Sequence, residues 1–156
     1  MNINRQFLYA LFLSILLCAP LNSAANFTID QRNLSAENWF INHYAPLWKN
    51  GDNLLLKKLE YFYHPSGFMR QQGKLIQWQF PATFEGLLLS VKEAGWQSAK
   101  VLSIQPQQIN QHSVALTVIW QSEYSSRAKV ISCEWYLADF EQSRWRITQH
   151  NFIHCL

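Results

Sequence analysis

Apolar positions in the first half of the chain recur at helical spacing. Trp39, Phe40, Tyr44, Leu47 and Trp48 fall along one face. Ahead of them Leu34 reads as a hydrophobic staple and Ser35 as an N-cap, with Glu37 in the first turn. Pro46 must kink or split this helix, because it removes a backbone donor and crowds the preceding turn. Asn50-Gly51 ends it, and Asp52 caps a second helix over Asn53–Glu60 with Leu55, Leu56 and Leu59 inward. His64-Pro65-Ser66-Gly67 reads as a turn, flanked by short extended pieces at Phe68–Arg70 and Lys74–Phe80. Beyond Pro81, Phe84, Leu87, Leu88 and Val91 mark one face of a third helix that stops at Gly95.

After Trp96 the period changes. Lys100–Gln105, Ser113–Tyr124, Arg127–Ala138 and Arg144–His154 are rich in β-branched and aromatic residues and read as strands. Ser125-Ser126 and Asp139–Ser143 are short enough for hairpins. Helices first and an antiparallel meander second make an α+β fold. Pairing Tyr124 with Arg127 and Ala138 with Arg144 assigns the faces, since side chains alternate. The inner face then holds Val114, Leu116, Val118, Trp120, Ile131, Cys133, Trp135, Leu137, Trp145, Ile147, Gln149 and Asn151. Glu134, Tyr136 and His150 fall outside. Ile119, Val130, Tyr136 and Phe152 would make an outer patch suited to a homodimer.

The first 25 residues follow neither pattern. Met1–Gln6 carries one positive charge, Arg5, and Phe7–Cys18 carries none. That run of about 12 residues is short of the roughly 20 a membrane-spanning helix needs. Pro20 breaks it, and Ser23, Ala24 and Ala25 supply small residues for cleavage after Ala25. Residues 1–25 are therefore expected to be a cleaved signal peptide, leaving no stable membrane anchor. Leu17 before Cys18 does not suit a lipoprotein signal. Residues 26–34 read as a polar lead-in and 35–156 as a single domain, secreted or periplasmic.

Charge and motifs narrow the chemistry. The chain has 13 Lys and Arg, of which only Arg5 lies in the leader, against 10 Asp and Glu. That balance offers no basic stripe for nucleic acid. The sequence has no phosphate-binding glycine loop and no nucleophile elbow, so no cofactor is expected. His150 and His154, four apart on a strand, would stand roughly 13 Å from each other, too far to share a metal ion. An exported chain favours pairing Cys133 with Cys155. The straight register opposes it, because it sets Cys155 beside Arg127, about 20 Å from Cys133. All seven Trp lie beyond the leader, and Tyr44, Trp48, Trp78 and Trp120 are candidates for a pocket lining.

The helix pair broken at Lys49-Asn50-Gly51-Asp52, the His64-Pro65-Ser66-Gly67 turn, the third helix before a long meander and the closing strand Arg144–His150 carry a resemblance. From about Ser35 to His154 the chain resembles the nuclear transport factor 2-like superfamily, which includes SnoaL-like cyclases and ketosteroid isomerases. The resemblance implies a cone-shaped α+β barrel whose pocket opens at the wide end, and dimers through the outer sheet face. The isomerase scheme would want a Tyr on the first helix, which Tyr44 matches. It would want a base Asp-Pro where this chain has His64-Pro65. It would want a protonated Asp on a late strand, where this chain offers Cys133 inside and Glu134 outside.

The expected function is binding of a small apolar or aromatic ligand, or of a protein partner, without catalysis. The alternatives are an isomerase-, cyclase- or dehydratase-type enzyme with Tyr44 and His64 as donor and base, and a structural dimerisation module. A binder should hold a cavity of roughly 300 Å³ or more. An enzyme should bring Tyr44 and His64 into one cavity.

Overall fold

A computed structural model describes residues 28–50, 55–71 and 73–155. The expected leader, its cleavage site and the Gly51–Asn53 helix junction lie outside the described residues. Helix α1 (Ile29–Trp39) starts earlier than Ser35. Thr28 and Gln31 close a reciprocal capping box, with Thr28 Oγ1 accepting from the Gln31 N–H and Gln31 Oε1 from the Thr28 N–H. Ser35 sits inside the helix, where its hydroxyl oxygen accepts from the Trp145 indole at 3.3 Å.

Pro46 acts as expected on the backbone. The helix widens into a π turn over Phe40–Tyr44, in which the Ala45 N–H reaches back to the Phe40 carbonyl. It then tightens into a 3₁₀ turn over Ala45–Trp48. This irregular stretch turns both Phe40 and Tyr44 wholly into the core. Helix α2 (Leu55–Phe62) runs directly into strand β1 (Tyr63–Gln71). Strand β2 (Lys74–Gln79) returns alongside it. Helix α3 (Ala82–Glu93) follows, burying Phe84 and Leu88.

Four longer strands complete the sheet: β3 (Trp96–Gln108), β4 (Ser113–Tyr124), β5 (Val130–Glu141) and β6 (Arg144–Ile153). The order across the six-stranded sheet is β2-β1-β6-β5-β4-β3. All neighbours are antiparallel except β1 and β6, which run parallel. The helices fill the concave side of this curved, open sheet, and the fold is α+β as expected.

Three expectations need correction. The His64–Gly67 segment is strand, not turn: Ser66 and Gly67 pair with Gln79 and Trp78. Gly67 is required there, because a Cβ would stand 2.0 Å from the Trp78 ring and 2.5 Å from the Thr148 carbonyl. The β4–β5 register is the second. Ser122 pairs with Val130, so residues 125–129 form the loop and β5 is displaced by one position from the Tyr124–Arg127 pairing. A one-residue slip turns every side chain over. Ser132, Glu134, Tyr136 and Ala138 therefore share the inner face with Trp120, Val118, Leu116 and Val114, while Ile131, Cys133, Trp135 and Leu137 face outward.

The third is the β5–β6 hairpin. Its two-residue turn is Gln142-Ser143, both at positive φ (49° and 64°), and Glu141 pairs with Arg144. A bulge at Thr148 then brings His150 opposite Tyr136 and Phe152 opposite Glu134. Gln149 and Asn151 are thereby turned outward, and Tyr136, Val130 and Phe152 leave the expected dimer patch. The same register sets Ile153 opposite Cys133. The chain then folds back, so that Cys155 bridges to Cys133 across a Cα separation of 5.2 Å. The 20 Å gap anticipated from a straight register does not arise.

Candidate functional site

A line of polar side chains crosses the aromatic core. Tyr44, from the π turn, places its hydroxyl 2.7 Å from that of Tyr63, the first residue of β1. The Tyr63 hydroxyl lies 3.1 Å from His150 Nδ1 on β6. His150 Nε2 lies 2.8 Å from Glu134 Oε2 on β5. Tyr136 donates its hydroxyl to the same oxygen, and Ser132 donates to Oε1 at 3.2 Å. Tyr44, Tyr63, Tyr136 and His150 are all buried, and the Glu134 side chain is 13 % exposed.

One proton arrangement satisfies every member. With Glu134 ionised and His150 neutral, Nε2–H donates to Glu134, and Nδ1 accepts from Tyr63, which accepts from Tyr44. Burial raises the Tyr44 pKa, with the Tyr63 hydrogen bond opposing the shift and the charge on Glu134 adding to it. Tyr63 is raised well above its ordinary value by burial, then by Tyr44 and Glu134. Tyr136 is raised by burial first and by Glu134 second. The three phenols are therefore held neutral, as donors.

Beside this line a cavity of about 170 Å³ opens between α3, the Trp48 turn and the sheet. Glu134, Ser132 and His150 lie on its wall. Trp48, Trp96 and Trp120 form one side. Their planes meet steeply, Trp48 standing 79° to Trp96 and 66° to Trp120. Tyr136 stacks on His150 with centroids 4.3 Å apart, and Phe152 lies tilted beside His150 at 5.0 Å. Phe152, 41 % exposed, stands at the mouth. The cavity is smaller than the roughly 300 Å³ expected of a binder.

The sequence candidates divide. Trp48 and Trp120 line the cavity. Trp78 does not: it is core, edge-on to Tyr63 and Phe84, with its indole N–H donating to the His64 carbonyl at 2.9 Å. Tyr44 lies behind the cavity wall, in the polar line. His64 is not brought to Tyr44. Alternation along β1 turns Tyr63 in and His64 out, where its Nδ1 lies 2.6 Å from the Ser66 carbonyl and its Nε2 3.9 Å from Glu141. The sequence reading missed Tyr63, Glu134, Tyr136 and His150 as one group. The signal that could have found them is Ser132, Glu134 and Tyr136 at period two, three polar groups on one strand face. Among the described residues no set of three His, Cys, Asp or Glu could hold a metal ion.

No protein-family model and no curated protein matches the chain. Solved structures do. An uncharacterised protein with a cystatin-like fold from Caulobacter vibrioides matches at TM-score 0.60 and 13 % identity, over 79 % of this chain and 91 % of that one. The association domain of C. elegans CaMKII matches at 0.59 and 12 %, over 79 % and 98 %. A nuclear transport factor 2-like protein from Anabaena variabilis matches at 0.58 and 8 %, over 88 % and 96 %. The chain has the nuclear transport factor 2-like cone fold, as the sequence resemblance implied. At these identities the likeness defines the fold alone.

Proposed function

We propose that this domain acts outside the cytoplasm by binding one small molecule in the cavity above Glu134, on the scale of a single ring. The observation that carries the reading is the cavity itself: aromatic on two sides, with one carboxylate in its wall. A dry cavity of about 150 Å³ is known to take a ligand the size of benzene, and this one is of that order. Export rests on the leader pattern, Arg5 followed by the apolar run to Cys18 and the small residues up to Ala25.

The polar line supports binding over proton transfer. Its far end, Tyr44, is enclosed by Trp39, Phe40 and Phe62. A relay that ends in the core has nowhere to deliver a proton. Both His150 ring nitrogens are already engaged. The line fixes His150, and His150 fixes Glu134.

A second reading follows from Glu134 Oε1, which among the described residues accepts only from Ser132. That oxygen has a spare lone pair and is the base an isomerase-type enzyme would use here, in place of His64. A homodimer through the outer sheet is supported by Ile119, the exposed Ile131 and Ile153 on that face, and by the CaMKII association domain among the structural matches.

The test is calorimetric titration of the mature protein with phenol, indole and toluene. Saturable one-to-one binding that is lost on filling the cavity with Ser132→Phe supports the reading. No binding of these probes, nor of a small organic cation, up to millimolar concentration overturns it. Turnover of an enolisable ketone abolished by Glu134→Gln would favour the enzyme.

A further inference from the structure

The cavity has a sign of charge. Among the described residues, no Lys or Arg lines it, and Glu134 is its one carboxylate. Six of the other lining residues are Trp, Tyr or Phe, and the face of such a ring carries the negative part of the aromatic quadrupole. Trp48 packs edge-on against Trp96 and Trp120, at 79° and 66°, so the indole surfaces of the cavity lie in more than one plane. Tyr124 at the rim already carries a cation: the Arg127 guanidinium lies 3.6 Å from its ring centroid.

The hydrogen-bonding capacity of the wall restricts the guest further. Ser132, Tyr136 and His150 all aim at Glu134. A carboxylate has about four acceptor sites, so one is left. A primary ammonium brings three N–H donors and would leave most of them unpaired in an apolar cavity, at a cost. A quaternary ammonium brings a charge and no donors. It needs aromatic surface and a nearby negative charge, and the lining holds both.

Resting on the small-molecule reading above, we infer that the guest is a small alkylated ammonium ion, its cationic head among Trp48, Trp96 and Trp120 and its charge balanced by Glu134. The line from Tyr44 through Tyr63 and His150 then has a purpose: it holds the carboxylate to one side of the cage with its charge directed at the guest.

The experiment compares choline with its neutral carbon isostere, 3,3-dimethylbutan-1-ol, and with phenol. Each is titrated into the mature protein and followed by calorimetry and tryptophan fluorescence. Choline should bind at least about tenfold more tightly than the isostere, the order expected of a desolvated cation–π site. Glu134→Gln should erase that preference, so that choline and the isostere bind the variant equally. Trp96→Leu, which leaves the Glu134 hydrogen bonds intact, should weaken choline by about tenfold. It keeps the test open if the Glu134 variant fails to fold. Equal affinity for choline and the isostere would overturn the cation and leave the small-molecule reading standing. So would phenol binding with choline excluded. Failure of all three probes would overturn both.

Discussion

Tyr63→Phe removes one oxygen and nothing else. The ring keeps its contacts with Phe84 and Trp78, at centroid distances of 4.4 Å and 5.4 Å. Two hydrogen bonds disappear, to the Tyr44 hydroxyl and to His150 Nδ1. Both partners are buried, so each is left unsatisfied at a cost of about 1–3 kcal/mol. The expected destabilisation is about 2–6 kcal/mol, or roughly 8–24 °C in Tm for a domain of this length. Tyr44→Phe removes only the terminal hydroxyl. It leaves the Tyr63–His150 bond in place and should cost about 1 kcal/mol. The double variant should cost less than the sum, because the first loss removes part of the second.

The same variants change the response to alkali. Tyr44, Tyr63 and Tyr136 have folded pKa values above their ordinary value of 10.0. Their contribution is complete below pH 10. Above it the unfolded chain releases protons that the folded chain retains, so stability falls as pH rises. Three such groups give a slope of up to about 4 kcal/mol per pH unit, and Tyr63→Phe should reduce it by a third. Urea unfolding followed by circular dichroism between pH 7 and 11 measures both effects. Equal losses for Tyr63→Phe and Tyr44→Phe, or an unchanged alkaline slope, would refute the connected line.

Gly67→Ala places a methyl group against the Trp78 ring and the Thr148 carbonyl. It should cost about 3 kcal/mol or more, read as a drop in the urea midpoint. Replacing Cys133 and Cys155 together by Ser opens a loop of 22 residues and should cost about 3 kcal/mol by chain entropy. Dithiothreitol should then lower the Tm of the parent but not of the variant. Mass spectrometry of the exported protein should find Asn26 as its first residue, and full-length protein in the membrane fraction would contradict a cleaved leader.

Much of the scaffold was legible because it is written in local periodicity. The Phe40 and Tyr44 face of the first helix, the Phe84 and Leu88 face of the third and the inward Val114–Trp120 set of β4 all emerge from spacing alone. The site did not emerge, and the reason is a loop. Residues 125–129 carry no glycine to mark their turn. Their course is set by tertiary contact, with the Ser125 N–H donating to the Gly95 carbonyl at 2.8 Å. One residue of loop length decides which face of β5 is inside. Ile131, Trp135 and Leu137 read as core and are outside. Ser132 and Glu134 read as surface and line the cavity. Apolar alternation could not choose, because both faces of β5 carry large apolar residues and the inner polar ones are satisfied by one another and by His150 on β6. His64 failed for a simpler reason: its Pro and Gly neighbours mimic a turn, whereas β1 continues through them with a register shift against β6 between Tyr63 and Phe68.

The position of β6 has a consequence in time. The sheet consists of a β1–β2 hairpin and a β3–β4–β5 meander, and β6, the last of the strands to be made, is the strip that joins them. Whether the chain emerges from a ribosome or a translocation pore, its early hairpin has no partner until the end arrives. The Tyr63–His150 bond, spanning 87 positions in sequence, belongs to that final event. A partly emerged chain therefore has no cavity wall on the β6 side and no His150 to hold Glu134. The site is absent until the domain is whole, and then it is complete at once.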